Sequence, residues 1–329
     1  MHRERTMSVL PRNQGDIAKV AAVAFVLAYA LVCSRRQKES GRPQSTTIES
    51  TLPTRTNASI LKMWDGFSEG YDSFFRLWSL PAHYSMISAL ELQYSKACLE
   101  IGCGPGHGLA ALQRELPTGA RLCGCDFSPK MVALAALNTA HVEVAVADAQ
   151  SLPDHYGGSF DRVIASLCYH IVPDYLAALR EMRRVCAPGA RIALSVWGLK
   201  CDSPMFTLFP AVLEEFRCDG RLPPDQNPPM RTNFHLGSDD ASLRQHVTNA
   251  GFTDVLSWHV PCVWGQQRGI DFARDFTGSQ PACRAALEQM PEGLREQVVA
   301  RLAEKADEVL ATGKPIACDV VVVVANASL

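Results

Sequence analysis

The sequence has little net charge and lacks the cysteine spacings of common metal sites. Among its 329 residues, 32 Lys and Arg nearly balance 34 Asp and Glu, which leaves a formal net charge of -2. The whole-chain charge therefore does not favour nucleic acid as a partner. The twelve cysteines include no C-x-x-C pair, so we expect buried free thiols in a reducing compartment rather than a zinc site or a disulfide framework. No cluster of Asp or Asn suggests a divalent metal.

Long hydrophobic runs are also scarce, and one uncharged stretch stands alone near the N-terminus. Val20–Cys33 has fourteen residues without a charge. A helix of that length spans about 21 Å, short of the roughly 30 Å hydrocarbon core of a membrane. Flanking Lys and Arg residues still make residues 1–36 a candidate hydrophobic anchor, with residues 17–33 in the membrane and the main domain in the cytoplasm. Two alternatives stay open: a cleaved targeting segment, as in mitochondrial import, and a buried helix.

The rest of the chain alternates between strand-like and helix-like segments. Residues 37–56 are polar and without periodicity, so they are predicted to be a linker. From Ala97 onward, five strand patterns alternate with amphipathic helix patterns, and a final run, CDVVVVVA, predicts a buried C-terminal strand. This order predicts an α/β fold with a doubly wound, mostly parallel sheet that helices cover on both faces.

Two regions depart from that rhythm. Residues 57–96 are rich in aromatic side chains and are predicted to form a helical N-terminal cover before the first strand. Residues 198–237 contain six of the twenty prolines and have no clean period. We therefore expect an irregular insertion there, on the substrate side of the domain.

Four alternating glycines follow the first predicted strand, in the stretch ACLEIGCGPGHGLAALQREL. Glycine lets backbone N–H groups approach a ligand closely, and the following helix points its positive end at the same place. The dinucleotide-binding pattern G-x-G-x-x-G does not fit, because its third glycine would fall on His107 in one frame and on Leu109 in the other. The pattern present is E-x-G-x-G-x-G, which runs from Glu100 to Gly106.

This pattern resembles motif I of the class I S-adenosylmethionine-dependent methyltransferases. The stretches GCDFSPKMV and VADAQSLP resemble later motifs of that family, and SFDRVIASLCYHIVPDYLAALREMRRVCAPGARIALSVW is similar to its methyltransferase type 11 group, the ubiquinone and menaquinone methyltransferase-like proteins. The resemblance covers residues 60–200 well and 236–260 loosely. It implies a methyltransferase domain over residues 57–329, a seven-stranded Rossmann-like sheet with the last strand antiparallel, and S-adenosylmethionine as cofactor.

The resemblance also implies which residues bind that cofactor. Asp126 would accept hydrogen bonds from both ribose hydroxyls, and Asp148 would accept one from the adenine amine. Phe127 and Met131 would flank the adenine ring, and the backbone N–H of Ala149 would face a ring nitrogen. The expected cofactor-binding residues are Tyr71, Glu100, Gly102, Gly104, Gly106, Asp126, Phe127, Met131, Asp148, Ala149 and Ser166.

Tyr169 and His170 follow the fourth predicted strand, where the carboxyl ends of parallel strands bind ligands. They are the candidate catalytic pair, either as a general base or as groups that orient the methyl acceptor. The apolar N-terminal segment favours a small, lipid-like or otherwise hydrophobic acceptor at a membrane, with other small molecules and proteins as alternatives. Two further functions stay open: a dinucleotide-binding oxidoreductase and a non-catalytic methyltransferase-like binding module. The sequence carries no signal for the oligomeric state.

Overall fold

A seven-stranded sheet with the strand order β3-β2-β1-β4-β5-β7-β6 forms the centre of the protein. The computed structural model describes residues 52–226, 230–265 and 268–328. The strands are β1 (Ala97–Ile101), β2 (Arg121–Asp126), β3 (Glu143–Val146), β4 (Phe160–Ser166), β5 (Cys186–Trp197), β6 (Phe252–Val263) and β7 (Ala317–Ala327).

Strands β1 to β5 pair in parallel, whereas β7 lies antiparallel between β5 and β6. The predicted fold class, a mostly parallel doubly wound sheet with an antiparallel last strand, is therefore confirmed. The run of valines in β7 is fully buried over residues 320–323, as expected for a central strand that is covered on both faces.

Helices connect the strands and cover the sheet. They are α1 (Asn57–Phe67), α2 (Tyr71–Ala89), α3 (His107–Glu115), α4 (Pro129–Asn138), α5 (Tyr175–Val185), α6 (Pro204–Cys218), α7 (Asp240–Asn249), α8 (Gly269–Ser279), α9 (Pro281–Glu288) and α10 (Glu292–Ala311). Helices α1 and α2 occupy most of the region predicted to be a helical cover, residues 57–96.

Local sequence signals explain where the helices after β2 and β4 begin. Ser128 caps α4, because its hydroxyl accepts a hydrogen bond from the N–H of Met131 at 3.2 Å, and Pro129 occupies the first helical position. Asp174 caps α5 by accepting from the N–H of Ala177 at 2.9 Å. These caps fix the helix starts directly beside the carboxyl edge of the sheet.

The predicted irregular structure of residues 198–237 is wrong over a large part of that region. Pro204–Cys218 is a fifteen-residue helix with Pro204 in its first turn and Pro210 in its interior. Proline is tolerated in the first turn, and the buried face of α6, which includes Phe209, Val212 and Phe216, stabilises the helix in spite of Pro210. The prolines obscured a helical pattern that tertiary packing supports.

The predicted single-pass membrane location is corrected by the structure. Among the residues described between 52 and 328, no helix has both the length and the apolar character that a membrane crossing needs. The segment on which the prediction rests, residues 17–33, lies outside the described residues, as do residues 1–36 as a whole.

Candidate functional site

A cavity of about 270 Å³ opens at the carboxyl ends of β1, β2, β4 and β5, under helices α1 and α2. This is the edge at which parallel α/β sheets bind ligands. Ten of the thirteen predicted site residues line the cavity: Tyr71, Gly102, Gly104, Asp126, Phe127, Met131, Asp148, Ala149, Ser166 and His170. The other three, Glu100, Gly106 and Tyr169, do not line it.

The loop after β1 needs glycine at its first position. Gly102 has a φ of +70°, a conformation that side chains disfavour, and its N–H donates to the carbonyl of Cys125 at 2.8 Å. A Cβ on Gly102 would also lie 2.6 Å from the Cys168 sulfur. Gly104, with a φ of +52°, donates its N–H to the carboxylate of Asp126 at 2.9 Å. The loop therefore folds back onto the end of β2.

Gly106 serves the packing of this loop rather than the cavity. It precedes α3 with a φ of +88°, and a Cβ there would lie 3.0 Å from the backbone of Ala135 in α4. The expected cofactor contact of Gly106 is thus corrected, because close approach of two helices, and not of a ligand, explains this glycine.

Asp126 stands at the end of β2 with its carboxylate directed to the glycine loop. Oδ2 accepts from Gly104 N, and Oδ1 accepts from Ser128 N at 2.9 Å. Burial raises the pKa of this carboxyl, against the lowering effect of the backbone N–H groups that surround it. The backbone N–H groups of Gly104, Phe127 and Ser128 all interact with this carboxylate, which retains acceptor capacity for a ligand.

The loop after β3 presents a second carboxylate. Asp148 Oδ1 accepts from the backbone N–H of Gln150 at 2.9 Å, and Oδ2 accepts from the Asn57 side chain at 3.1 Å. Asn57 is the first residue of α1, so the covering helix is tied to this loop. The neighbouring side chains of Ala149 and Met131 are almost fully buried and form an apolar wall beside Asp148.

Glu100 lies beneath the glycine loop in a smaller neighbouring cavity of about 50 Å³, which shares Tyr71, Gly102 and Ser166 with the larger one. Its Oε1 lies 3.7 Å from Nδ1 of His83 in α2. Burial raises the pKa of Glu100 well above 4.5, and the nearby charge of Asp126 adds to the rise. Burial lowers the pKa of His83 to about 4. Burial therefore favours the uncharged form of both groups.

The Glu100 and His83 side chains keep hydrogen-bonding capacity for a ligand. Glu100 Oε2 and His83 Nε2 are buried and have no hydrogen-bond partner among the described residues. His83 was not predicted as a site residue, because a histidine in the middle of a helical pattern gives no local sign that it faces a distant loop.

His170 lines the cavity, and its side chain is almost fully buried. Its ring lies 5.5 Å, between centroids, from the indole of Trp197, and its Nδ1 has no hydrogen-bond partner in the described part of the chain. Burial lowers the pKa of His170 well below 6.5, and the nearby His235 and Arg55 lower it further. The imidazole is therefore neutral at physiological pH and can accept or donate a hydrogen bond in the cavity.

The Tyr169 side chain points away from the cavity and into the hydrophobic core, and this position corrects its predicted catalytic role. Its side chain is 1% exposed within the hydrophobic core, and its hydroxyl donates to the backbone carbonyl of Ala178 in α5 at 3.1 Å. A hydroxyl held there cannot reach a ligand in the cavity. Of the two residues predicted to be catalytic, only His170 therefore lines the cavity.

An aromatic wall, which was not predicted from the sequence, lies on the far side of the cavity. Trp197, at the end of β5, stacks on Phe206 with centroids 4.3 Å apart, and Phe206 meets Trp78 edge-on at 5.2 Å. Trp64 and Phe67 of α1 also line the cavity. One signal was available: Trp197 ends a predicted strand at the ligand-binding edge. The others come from segments whose approach the sequence pattern does not reveal.

Comparison with known proteins agrees with this geometry. A family model described as "Methyltransferase domain" matches residues 99–194, which run from β1 to β5 and contain most of the polar half of the cavity. Demethylmenaquinone methyltransferase of Staphylococcus epidermidis is 29% identical over 154 residues, which are 45% of this chain and 62% of that protein. The Staphylococcus aureus protein of the same name is 29% identical over 157 residues, 46% of this chain and 63% of its own length.

The chain thus spans somewhat less than two thirds of the length of these curated relatives. Among solved structures, phosphoethanolamine N-methyltransferase 2 of Haemonchus contortus, in complex with S-adenosylhomocysteine, has a TM-score of 0.50 at 14% identity and covers 84% of this chain and 61% of its own. The [4+2]-cyclase SpnF has a TM-score of 0.50 at 18% identity, with 84% and 99% coverage. Identities this low show a shared fold and no more.

The family match, the strand order and the glycine loop lead to the same conclusion. S-adenosylmethionine is the cofactor of this family, which confirms the cofactor that the sequence predicts. Residues 99–194 match a methyltransferase domain, and the strand order of the whole sheet agrees with the class I S-adenosylmethionine-dependent methyltransferases that the sequence resembles.

Proposed function

We propose that this protein binds S-adenosylmethionine and transfers its methyl group to a small acceptor that has an apolar ring. One observation carries the proposal: the glycine loop donates the Gly104 N–H to Asp126 at the rim of a cavity whose opposite wall is aromatic. The arrangement combines a polar half suited to a nucleoside with an apolar half suited to a second molecule. The methyltransferase-domain match over the same residues supports this assignment.

The polar half suits the nucleoside part of the cofactor. Asp126 lines the cavity, and its carboxylate can accept a hydrogen bond from the ribose hydroxyls. Phe127 and Met131 supply apolar surface for the adenine ring, while Asp148 and the N–H of Ala149 supply polar partners for its edge. In this proposal the adenine amine takes the place of the Gln150 side chain, which donates to both Asp148 oxygens in the structure, and Asn57 keeps its hydrogen bond to Oδ2.

The amino-acid end of the cofactor fits beside the glycine loop. Gly102 and Gly104 leave the backbone accessible there, and the buried, unpartnered atoms of Glu100 and His83 lie beneath the loop. Tyr71 and Ser166 line both cavities at this point. When bound, the cofactor supplies a methyl group that its positively charged sulfur already activates.

The protein's own residues would position the acceptor and hold its proton. The aromatic wall of Trp78, Trp197 and Phe206 excludes water and fits the face of a ring. His170 is neutral and its buried Nδ1 is unpartnered among the described residues, so it can accept a hydrogen bond, and then the proton, from an acceptor hydroxyl.

An acceptor with an apolar ring agrees with most of the remaining lining, in which Arg55 is the one cationic side chain among the described residues. Ile60, Met63, Ile171 and Val172 complete the walls on this side, and the two carboxylates that line the described cavity, Asp126 and Asp148, belong to the nucleoside half. The quinone class named by the Staphylococcus relatives would suit such a site. The proposal rests on the cavity and not on those relatives, since the matched segments are less than half of this chain.

Two other functions make different predictions. A dinucleotide-binding oxidoreductase would need a third glycine at the loop, and His107 or Leu109 stands there instead. A non-catalytic binding module, or another reaction on the same fold, is the stronger competitor, because a cyclase shares this fold.

A labelling experiment tests the proposal. The full-length protein would be incubated with S-adenosylmethionine labelled in its methyl group and with a panel of hydroxylated aromatic and quinol acceptors, and the products identified by mass spectrometry. We expect labelled methyl on one class of acceptor together with an equal amount of S-adenosylhomocysteine. Cofactor binding without product would favour the binding module, and binding of a nicotinamide dinucleotide instead would favour the oxidoreductase.

A further inference from the structure

Arg55 is a cationic side chain on the wall of the cavity, just before the start of α1. Among the residues that the structure describes, no other Lys or Arg lines this cavity, and Arg55 forms no ion pair there. Its one hydrogen bond runs from Nη1 to Oδ1 of Asn233 at 3.0 Å, so most of its five donors are available. Arg55 is partly exposed to solvent and has no carboxylate partner among the described residues, so its guanidinium can pair with an anionic group of a bound molecule.

The structure holds this guanidinium in a fixed place. Asn233 supports it from one side, and the segment that carries it is anchored by a hydrogen bond from Arg231 N to the carbonyl of Pro53 at 3.0 Å. Arg231 in turn donates its guanidinium to the carbonyls of Val172 and Pro173, both in the cavity wall. The support is built from two chain segments that lie almost 180 positions apart.

The two carboxylates that line the cavity are hydrogen-bonded to groups other than Arg55. Asp126 is bonded to Gly104 and Ser128, and Asp148 is bonded to Asn57 and Gln150. The positive charge of Arg55 adds to the effect of burial and lowers the pKa of His170. The Asn233 partner of Arg55 precedes Phe234, whose ring centroid lies 5.0 Å from that of Trp197, so the positive charge lies beside the half of the cavity that contains the aromatic wall.

We propose that the methyl acceptor carries a carboxylate that binds the Arg55 guanidinium while its ring lies against the aromatic wall. The planar guanidinium matches a carboxylate through two parallel hydrogen bonds, and a neutral acceptor would leave the charge unpaired. The substrate class is thus a hydroxylated aromatic acid. This inference rests on the proposed function, since it assigns the acceptor of that same site.

The carboxylate of the cofactor itself is the competing partner for Arg55. The glycine loop and the Glu100–His83 cavity form the proposed site for that end of the cofactor, and Arg55 does not line the smaller cavity. A Cβ on Gly104 would lie 3.9 Å from the Tyr71 side chain, which is its nearest neighbour. If Arg55 held the cofactor carboxylate, its removal would weaken cofactor binding, which the test below measures separately.

The test compares matched acids and amides. Full-length protein saturated with S-adenosylhomocysteine would be titrated calorimetrically with 4-hydroxycinnamate, with 6-hydroxy-2-naphthoate and with the carboxamide of each. For at least one ring system we expect the acid to bind about 10- to 100-fold more tightly than its amide, the ratio that a charge-assisted hydrogen-bond pair provides. Arg55→Gln should reduce that ratio to about 1, Arg55→Lys should retain part of it, and Arg114→Gln, at an exposed position on α3, should leave it unchanged.

Two measurements separate this inference from the proposed function and from misfolding. Melting temperature and S-adenosylhomocysteine affinity should be the same for Arg55→Gln and the native protein. If the native protein binds S-adenosylhomocysteine but binds acids no better than amides, or binds neither, the inference is overturned and the proposed cofactor site stands. If Arg55→Gln loses S-adenosylhomocysteine affinity, Arg55 serves the cofactor and the inference is also overturned. A native protein without S-adenosylhomocysteine affinity would overturn both.

Discussion

The two halves of the cavity are built in different ways. The cofactor half consists largely of backbone: glycine N–H groups and strand ends place Asp126 and Asp148, and each carboxylate is held by neighbouring N–H groups. The acceptor half consists of side chains: Trp197 stacks on Phe206, Trp78 meets Phe206 edge-on, and His170 lies beside Trp197. One half is fixed by local geometry and the other by the packing of distant segments.

The difference has a consequence for function. Backbone groups cannot be exchanged by mutation, so the cofactor half keeps its chemistry while side chains vary. An aromatic wall can change shape with single substitutions, so the acceptor half can be adapted to another molecule without loss of cofactor binding. Substitutions in the two halves should therefore separate turnover from cofactor affinity.

The largest effect is expected at His170, in the acceptor half. His170→Gln should lower turnover by about 10²–10⁴-fold, the usual contribution of a general base, and leave S-adenosylhomocysteine affinity within a few-fold. Because burial holds the pKa of His170 well below 6.5, the native rate should stay level as the pH falls through 6.5. Single-turnover rates between pH 5.5 and 8.5 would measure both effects. Loss of cofactor affinity and of melting temperature together would show that His170 is structural.

A second effect concerns the support of the acceptor half. His259 in β6 lies 2.7 Å from Asp319 and 3.3 Å from Asp240, and Asp319 also accepts from Leu199 N in the turn that follows Trp197. Burial lowers the pKa of His259, but the hydrogen bonds to the two aspartates outweigh it and raise the pKa from 6.5 to about 10. The stabilisation is thus complete below pH 6.5 and is lost as the pH rises through 10.

His259→Gln should accordingly lower the free energy of unfolding by about 3 kcal/mol at pH 6.5, since it leaves two partly buried carboxylates without their cation. The difference from the native protein should shrink toward pH 10. Urea unfolding at pH 6.5, 8 and 10 would measure it, with His155→Gln, at an exposed position, as the control. A difference that does not vary with pH would contradict the charged state of His259.

Gly102 in the glycine loop of the cofactor half has a matched control in Gly119, which lies in the turn before β2. Gly102 and Gly119 both have positive φ, +70° and +84°, but a Cβ on Gly102 meets Cys168 whereas a Cβ on Gly119 meets nothing within 4 Å. Gly102→Ala should cost about 1–3 kcal/mol more in unfolding free energy than Gly119→Ala, because only the former is overpacked. It should also weaken S-adenosylhomocysteine binding. Equal costs for the two variants would mean that the loop can move away from Cys168.

The smallest effect is expected at Tyr169. Tyr169→Phe removes the hydrogen bond to the carbonyl of Ala178, so the free energy of unfolding should fall by about 1 kcal/mol while turnover stays unchanged. Thermal unfolding and a turnover assay on the same sample would show this. A hundredfold loss of turnover would restore the catalytic role that the sequence assigned to this residue.

The same contrast explains how much could be predicted from the sequence. The alternation of strands and helices follows from hydrophobic periodicity, and the loop after β1 follows from glycine spacing. The antiparallel last strand and the roles of the cofactor-half residues came from the resemblance to a known family. Tyr169 and His170 could not be told apart, because they lie beyond the end of β4, where alternation no longer decides which side chain faces the ligand. Arg55, His83 and Trp78 were missed since their approach to the cavity depends on how α1 and α2 pack.

A calorimetric titration of S-adenosylhomocysteine tests the central claim most directly. The full-length native protein should bind one molecule per chain. Asp126→Asn should bind about 10- to 100-fold more weakly, because it loses the charged acceptor of two ribose hydrogen bonds. Asp154→Asn, at an exposed position away from the cavity, should bind like the native protein. Equal affinity for the native protein and Asp126→Asn, or no binding by the native protein, would contradict the assignment of this cavity as the cofactor site.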